Sequence, residues 1–142
     1  MACRFAQLTM DDYDDVVAFW RSQEGVGLNE SDGKRQIAGY LTRNPGMSFI
    51  VREAGKVVGA VLCGHDGRRG YLHHLAVASS HRRKGLGRSL VARCLKSLRR
   101  AGIQRCNIFL FADNPQGRSF WQSIGYRPRA DLLLMQRSID RA

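Results

Sequence analysis

Residues 79–90 read SSHRRKGLGRSL, and this stretch decides the fold of the chain. It follows an apolar run at residues 71–77, YLHHLAV, which is typical of a β-strand, and it opens a stretch with helical spacing of apolar residues. The first turn of a helix offers unpaired backbone N–H groups and a partial positive charge, and glycine lets an anion approach the backbone closely. The order of strand, basic glycine turn and helix therefore predicts a pyrophosphate-binding site.

The glycine turn supplies the predicted binding groups. Backbone N–H groups of residues 83–88 are expected to bind the pyrophosphate, and the neighbouring cations are expected to add charge. The predicted site consists of Arg82, Arg83, Lys84, Gly85, Leu86, Gly87 and Arg88. The alternative is an ordinary basic helix start. A dinucleotide-binding fingerprint is less favoured because Leu90 stands where its third glycine belongs, and the sequence contains no P-loop motif.

The other elements predict a mixed α/β fold. Strands are expected at residues 47–52, 56–63, 71–77, 106–111 and 132–136. Helices are expected after Thr9, after a cap at Ser31 or Asp32, at residues 86–101, and from Pro115. Antiparallel strands followed by a β-α-β crossover indicate a mixed sheet with helices on both faces.

Length and composition suit one domain spanning residues 1–142. No apolar run approaches the roughly 20 residues that cross a bilayer, and no signal peptide is apparent, so a cytoplasmic protein without membrane contact is expected. The net charge of +11 favours polyanionic partners, although charge alone does not identify them.

The cysteines predict neither a metal site nor disulfides. Cys3, Cys63, Cys94 and Cys106 are scattered along the chain and form no close pair such as Cys-x-x-Cys. Most have apolar neighbours, so buried and reduced thiols are expected.

Two motifs resemble those of the GCN5-related N-acetyltransferases, the GNAT family. The family's acetyl-CoA motif is Arg/Gln-x-x-Gly-x-Gly/Ala, and Arg82, Gly85 and Gly87 occupy its positions. Asn114 and the following PQGRSFWQSIGYRP are similar to the family's Asn-x-x-Ala-x-x-Phe-Tyr-x-x-x-Gly-Phe. The resemblance covers nearly the whole chain in length and element order. Within the family, the chain most resembles small bacterial acetyltransferases of undefined substrate and enzymes that acetylate protein N-termini.

The resemblance implies a GNAT-like fold, in which a mostly antiparallel sheet splays open between two parallel strands. This fold usually has another strand at the N-terminus, which residues 3–8 could supply. The resemblance also implies acetyl-CoA as cosubstrate and no metal. The pantetheine arm would pair with free backbone groups of Leu75, Ala76 and Val77, where one N–H would polarise the thioester carbonyl. Asn114 and Trp121 would also contact coenzyme A, although Asn114 could equally be a helix cap.

The catalytic base is less clearly marked. Many relatives carry a glutamate on the strand matching residues 106–111, where this chain has no carboxylate. His73 and His74 lie just before the predicted thioester site, and either could be the base, with structural histidines an equal alternative. Strand alternation places His73 on the side of Leu75 and Val77, with His74 on the other side.

The proton donor for the leaving thiolate departs from the family pattern. Trp121 stands where relatives often have a tyrosine, and an indole N–H is not a useful acid. Water, Tyr126 or Ser119 could deliver this proton, or no donor is needed.

The resemblance therefore implies an N-acetyltransferase that moves an acetyl group from acetyl-CoA to a primary amine in a ternary complex. It also implies that the acceptor, a small molecule or a protein amino group, lies beside residues 20–40. Its polar candidates are Glu24, Asn29, Glu30 and Asp32, whereas Arg68 and Arg69 could attract an acidic substrate. A monomer or homodimer is expected.

Two alternative functions remain at this point. One is a regulatory domain that binds coenzyme A without catalysis. The other is a basic nucleic-acid-binding module, which is disfavoured because most aromatic residues lie in apolar runs. No specific nucleic acid is therefore expected as a partner.

Overall fold

A five-stranded sheet organises the chain in the computed structural model, which describes residues 2–139. The strands are β1 (Arg4–Gln7), β2 (Phe49–Glu53), β3 (Lys56–His65), β4 (Gly70–Val77) and β5 (Cys106–Ile108). The α-helices are α1 (Tyr13–Arg21), α2 (Lys34–Arg43), α3 (Leu86–Arg100) and α4 (Pro115–Ser123). Short 3-10 turns lie at Met10–Asp12, Glu30–Asp32 and Ser79–His81.

The strands lie in the order β1-β2-β3-β4-β5, which confirms a mixed and mostly antiparallel sheet. The first four pair antiparallel, and β4 and β5 pair parallel. The predicted β2–β3 hairpin is present. Its two-residue turn places Ala54 and Gly55 at φ 50° and 79°, the left-handed backbone that matches the twist of a tight hairpin. The optional N-terminal strand is also present, as β1.

Helices cover both faces of the sheet, as predicted. On one face, Trp20 of α1 and Ile37 of α2 pack in one buried cluster with Ile50 and Leu62. On the other face, α3 presents Leu90 to the backbone at Gly59. Burial of the apolar stripe of α3 stabilises it, and the helix ends where predicted, because Gly102 adopts φ 81° and the N–H of Ile103 donates to the Leu98 carbonyl.

The described chain separates into two compact units, one up to Phe111 and one from Ala112 onward. The first holds the sheet and α1 to α3, and the second holds α4 and the residues that follow. A single domain spanning the chain stays a prediction. No helix among residues 2–139 is both long and apolar enough to cross a membrane.

The prediction of a strand at residues 132–136 is wrong. These residues form no strand, and Leu133 and Met135 are 90% and 87% exposed. An apolar run forms a strand only where a partner edge satisfies its backbone, and this run instead follows a local turn. In that turn the N–H of Leu132 donates to the Arg129 carbonyl, and Arg129 pairs with Asp131.

Three smaller expectations also need correction. Strand β5 ends at Ile108 rather than at residue 111. Cys3 and Cys106 are only half-buried, whereas Cys63 and Cys94 are buried free thiols as expected. Helix α2 begins after Gly33, and neither Ser31 nor Asp32 caps it.

Close packing of α3 on the sheet predicts the effect of a methyl group at Gly70. A Cβ there would lie 2.6 Å from Cδ1 of Leu98, a core side chain with little room to move. We expect Gly70→Ala to lower the free energy of unfolding by about 1–3 kcal/mol. Urea denaturation measures this.

The matched control is Gly39→Ala. Gly39 is exposed within α2, and a Cβ at this position would have no neighbour within 4 Å, so alanine should stabilise the protein by about 0.5–1 kcal/mol. Equal midpoints for Gly70→Ala and the wild type would contradict the packing of α3 described above.

Candidate active site

A β-bulge in β4 forms the centre of the candidate site. Leu62 of β3 pairs with His73, and Ala60 pairs with Ala76, so residues 74–75 together oppose Val61. His74 adopts φ 57°, in the left-handed region. The prediction from strict alternation is therefore wrong. His73 shares a face with Ala76, and the rings of both histidines meet side chains of α1 and α2 or the turn between them.

Two buried side chains hold the bulge. Nε2 of His74 lies 2.8 Å from Oδ1 of Asp32, and the indole N–H of Trp20 donates to the His74 carbonyl at 2.9 Å. Asp32 is 7% exposed, and its other oxygen accepts the N–H of Asn29 at 3.0 Å. A left-handed non-glycine residue costs roughly 1–2 kcal/mol, which these contacts offset. The predicted acceptor-side residue Asp32 is therefore bonded to a predicted catalytic residue.

His73 has an aromatic rather than a polar environment. Its ring stacks with Tyr71 at 6.3 Å and Phe109 at 6.0 Å between centroids, and it meets the edge of Tyr40 at 6.2 Å. Within residues 2–139 its ring has no hydrogen-bond partner. Burial lowers the pKa of His73, charge on His74 lowers it further, and Asp32 opposes both effects. The imidazole is therefore neutral at pH 7 and able to accept a proton.

The outer edge of β4 is open along the predicted pantetheine segment. Strand β5 pairs with β4 only from Gly70 to Leu72, so no described strand covers that edge at residues 73–77. Ala76 is buried, and Leu75 and Val77 are half-buried. The guanidinium Nε of Arg82 donates to the Val77 carbonyl at 3.2 Å. An extended ligand could therefore pair with backbone groups beside this strand.

The predicted pyrophosphate turn has the expected backbone. Arg83 and Gly85 adopt φ 63° and 81°, and Gly85 stands at the N-cap of α3 without a side-chain cap. The first-turn N–H groups of Leu86, Gly87 and Arg88 therefore face no capping side chain. Space beyond Gly85 is open, with nothing within 4 Å of a Cβ placed there.

The charged side chains of this turn are available to an anion. Arg82, Arg83, Lys84 and Arg88 are exposed, and within residues 2–139 none of them forms an ion pair. The side chain of Leu86 is buried, so this residue can contribute only its backbone. Because a helix N-terminus adds partial positive charge, the turn is electrostatically suited to phosphate.

Asn114 and Trp121 belong to the second unit. Oδ1 of Asn114 accepts the N–H of Gly117 at 2.8 Å, so the capping role considered for this residue is present. Trp121 is 9% exposed and packs edge-on against Phe120 and Tyr126. Their contacts with coenzyme A stay predictions.

The aromatic residues around His73 were not predicted from the sequence. Tyr71 lies two residues before His73 on the same strand, and that spacing was the one available signal. Tyr40 and Phe109 come from distant segments. The Tyr40 hydroxyl is buried without a hydrogen-bond partner among the described residues, and burial raises the pKa of this phenol well above its ordinary range.

Comparison with known proteins identifies the family. The model of the Acetyltransferase (GNAT) family matches residues 10–126, which is most of the chain. The chain belongs to the GNAT family. An acetyltransferase from Sodalis glossinidius is 27% identical over 125 residues, covering 88% of this chain and 87% of that protein.

Solved structures of other proteins share the fold. Ard1 from Thermoplasma volcanium superposes with a TM-score of 0.78 at 18% identity, covering 92% of this chain and 86% of that one. A predicted acetyltransferase from Clostridium acetobutylicum, solved with acetyl-CoA, gives 0.76 at 15% identity, covering 95% and 96%. The predicted fold class is thereby confirmed.

The environment of His73 predicts a pH dependence of stability. The pKa of His73 is lower in the folded protein than in the unfolded chain, where it is about 6.5. The stability that depends on a neutral His73 is therefore fully present above about pH 6.5 and is lost as the pH falls through the folded-state pKa. Between pH 7.5 and 5.5 we expect the wild type to lose more free energy of unfolding than His73→Gln. Urea titrations at both pH values measure this. Equal losses would contradict the assigned environment, since the other histidines are common to both proteins.

Proposed function

We propose that this GNAT protein transfers the acetyl group of acetyl-CoA to a primary amine at the open edge of β4. The observation that carries the proposal is one continuous path. The bulge at His74 is followed by the uncovered edge of residues 75–77, and the strand then leads to the uncapped turn before α3. Acetyl-CoA carries its thioester, its pantetheine arm and its pyrophosphate in the same order.

The pyrophosphate would bind the backbone of the turn, with Arg83, Lys84 and Arg88 adding charge. The pantetheine arm would lie along Leu75, Ala76 and Val77 as an added strand. Arg82 already binds the Val77 carbonyl, so it would have to release that contact or leave this acceptor out of the pairing. Asn114 and Trp121 stay predicted contacts of coenzyme A on the family resemblance alone.

The reaction is a direct acyl transfer. The amine nitrogen attacks the thioester carbon, the new C–N bond forms, and the C–S bond breaks to release the coenzyme A thiolate. A backbone N–H at the bulge would stabilise the oxyanion that develops on the carbonyl oxygen. Holding both reactants in one groove supplies much of the remaining rate enhancement.

His73 is the proposed general base. An ammonium cannot attack, so the base must take a proton from the amine, and a neutral imidazole without a competing hydrogen bond is suited to this. His74 is instead a positioning residue, because its Nε2 is already bound to Asp32. The leaving thiolate would take its proton from water, Tyr126 or Ser119.

The proposed acceptor is a primary amine, without a more specific identity. Glu24 and Glu30 are exposed carboxylates on the acceptor side, and a cationic amine would be attracted by them and by the aromatic rings around His73.

We also propose a cytoplasmic location, where acetyl-CoA is available and the buried Cys63 and Cys94 would stay reduced. A monomer or homodimer stays the predicted assembly.

The cosubstrate site is tested by Gly87→Glu. The substitution places a bulky carboxylate in the first turn of α3, where phosphate oxygens would lie, so repulsion should abolish binding. We expect acetyl-CoA to raise the melting temperature of the wild type and to leave that of Gly87→Glu unchanged. Differential scanning fluorimetry with acetyl-CoA, coenzyme A, NAD and ATP measures this.

The control for that experiment is Gly39→Glu, the same substitution at an exposed position of α2. It should retain the full acetyl-CoA shift. A folded Gly87→Glu variant that also retains the shift would overturn the assignment of the turn.

The proposed base is tested by His73→Gln. Removing a general base should lower kcat by about 10²–10⁴-fold, because the amine then loses its proton only to water. Release of free thiol from acetyl-CoA over a panel of amines and peptide N-termini measures this. The acetyl-CoA shift in melting temperature should persist in the variant, which separates lost chemistry from lost binding.

His74→Gln is the companion variant. It should lower stability as well as activity, because the bulge loses its bond to Asp32. Unchanged kcat in His73→Gln across pH 6 to 9 would rule out His73 as the base. If the wild type binds acetyl-CoA but acetylates no amine of the panel, the alternative of a regulatory domain that binds coenzyme A is favoured.

A further inference from the structure

Three side chains with metal-ligating atoms meet at the end of β2, which Glu53 closes. Sγ of Cys3, a carboxylate oxygen of Glu53 and a ring nitrogen of His81 all lie within 4.8 Å of one another. The three residues are half-buried, and the His81 and Glu53 side chains are 13% and 28% exposed. None of them belongs to the acetyl-transfer site described above.

The backbone fixes the positions of these three residues. Arg4 of β1 pairs with Arg52 of β2, so the same antiparallel register places Cys3 opposite Glu53. His81 ends the 3-10 turn that follows β4, and its N–H donates to the Ala78 carbonyl at 2.8 Å. The cluster therefore joins the sheet edge to the turn that precedes the pyrophosphate site.

His81 is oriented as a metal-ligating histidine usually is. Its Nδ1 lies 2.7 Å from Oγ of Ser80, and its Nε2 lies 2.6 Å from Oε2 of Glu53. A hydrogen bond at one ring nitrogen fixes the orientation of the ring and directs the other nitrogen toward a ligand. The cluster thus has an oriented imidazole, a thiol and a carboxylate facing one point.

We propose that Cys3, Glu53 and His81 form a Zn²⁺-binding site with water as the fourth ligand. Thiolate, imidazole and carboxylate are the three ligand types of protein zinc sites, and a set containing sulfur disfavours Mg²⁺ and Ca²⁺. One thiolate and one carboxylate neutralise the charge of the ion. Cysteine spacing gives no signal of this set, because its three ligands come from distant segments of the chain.

Binding requires only small movements. Nitrogen and oxygen ligands of a tetrahedral zinc ion lie about 3.3 Å apart, so His81 and Glu53 must separate slightly and exchange their hydrogen bond for bonds to the ion. The thiol of Cys3 releases its proton when it binds. The ion takes no part in acetyl transfer, and its effect is to tie β1 and β2 to the turn before α3. The proposal is independent of the acetyltransferase assignment.

Cobalt(II) is the probe for this site, used with the full chain free of any polyhistidine tag and treated first with a chelator. We expect one Co²⁺ per chain with a thiolate-to-cobalt charge-transfer band, and displacement of that band by one equivalent of Zn²⁺. Zn²⁺ should also raise the melting temperature of the wild type. Absorption spectroscopy and scanning fluorimetry measure these effects.

Cys3→Ser and Cys106→Ser form the matched pair of variants, because both thiols are half-buried and only Cys3 belongs to the cluster. Cys3→Ser should lose the charge-transfer band and the Zn²⁺ shift, and Cys106→Ser should keep both. His81→Gln should weaken Zn²⁺ binding at least tenfold. Absence of the band in the wild type, or its persistence in Cys3→Ser, would overturn the proposal. An unchanged acetyl-CoA shift in Cys3→Ser would show that the cosubstrate site is intact.

Discussion

The left-handed backbone at His74 is the constraint on which the rest of the site depends. A regular strand would send the side chains of consecutive residues to opposite faces of the sheet, so only one of the two histidines could meet α1 and α2. The extra residue in β4 brings both rings to that side. The hydrogen bonds from Trp20 and to Asp32 make this conformation the stable one, since they satisfy the His74 carbonyl and ring in a mostly buried setting.

Features that depend on neighbouring residues could be predicted from the sequence. The turn at Ala54 and Gly55, the end of α3 at Gly102 and the turn before α3 each need a glycine at one place, and the glycine is visible. The bulge could not be predicted, because Asp32 lies 42 residues from His74 and Trp20 lies 54 residues from it. The failed strand at residues 132–136 has the same cause. Its apolar run reports local preference but not whether a partner edge is present.

Little of the net charge of +11 is neutralised by ion pairs among the described residues. Arg52 binds Asp12 and Asp15, and Arg129 binds Asp131, so these cations are neutralised within the protein. The four cations of the glycine turn form no ion pair among the described residues. Because most other lysines and arginines among the described residues also lack ion pairs, the turn is distinguished from the rest of the basic surface by its left-handed backbone at Arg83 and Gly85 and by the uncapped start of α3.

The two substrates differ in how strongly the sequence determines their recognition. Acetyl-CoA would be bound largely by backbone groups, whose positions require glycines and a helix start but few particular side chains. The acceptor would be bound by side chains of α1, α2 and the residues between them, which a relative at 27% identity does not specify. Asp32, the buried carboxylate among residues 2–139, already accepts bonds from Asn29 and His74. An amine that took over this carboxylate would break the contact that holds the bulge, so recognition of a cationic acceptor would fall to the aromatic rings and the exposed carboxylates.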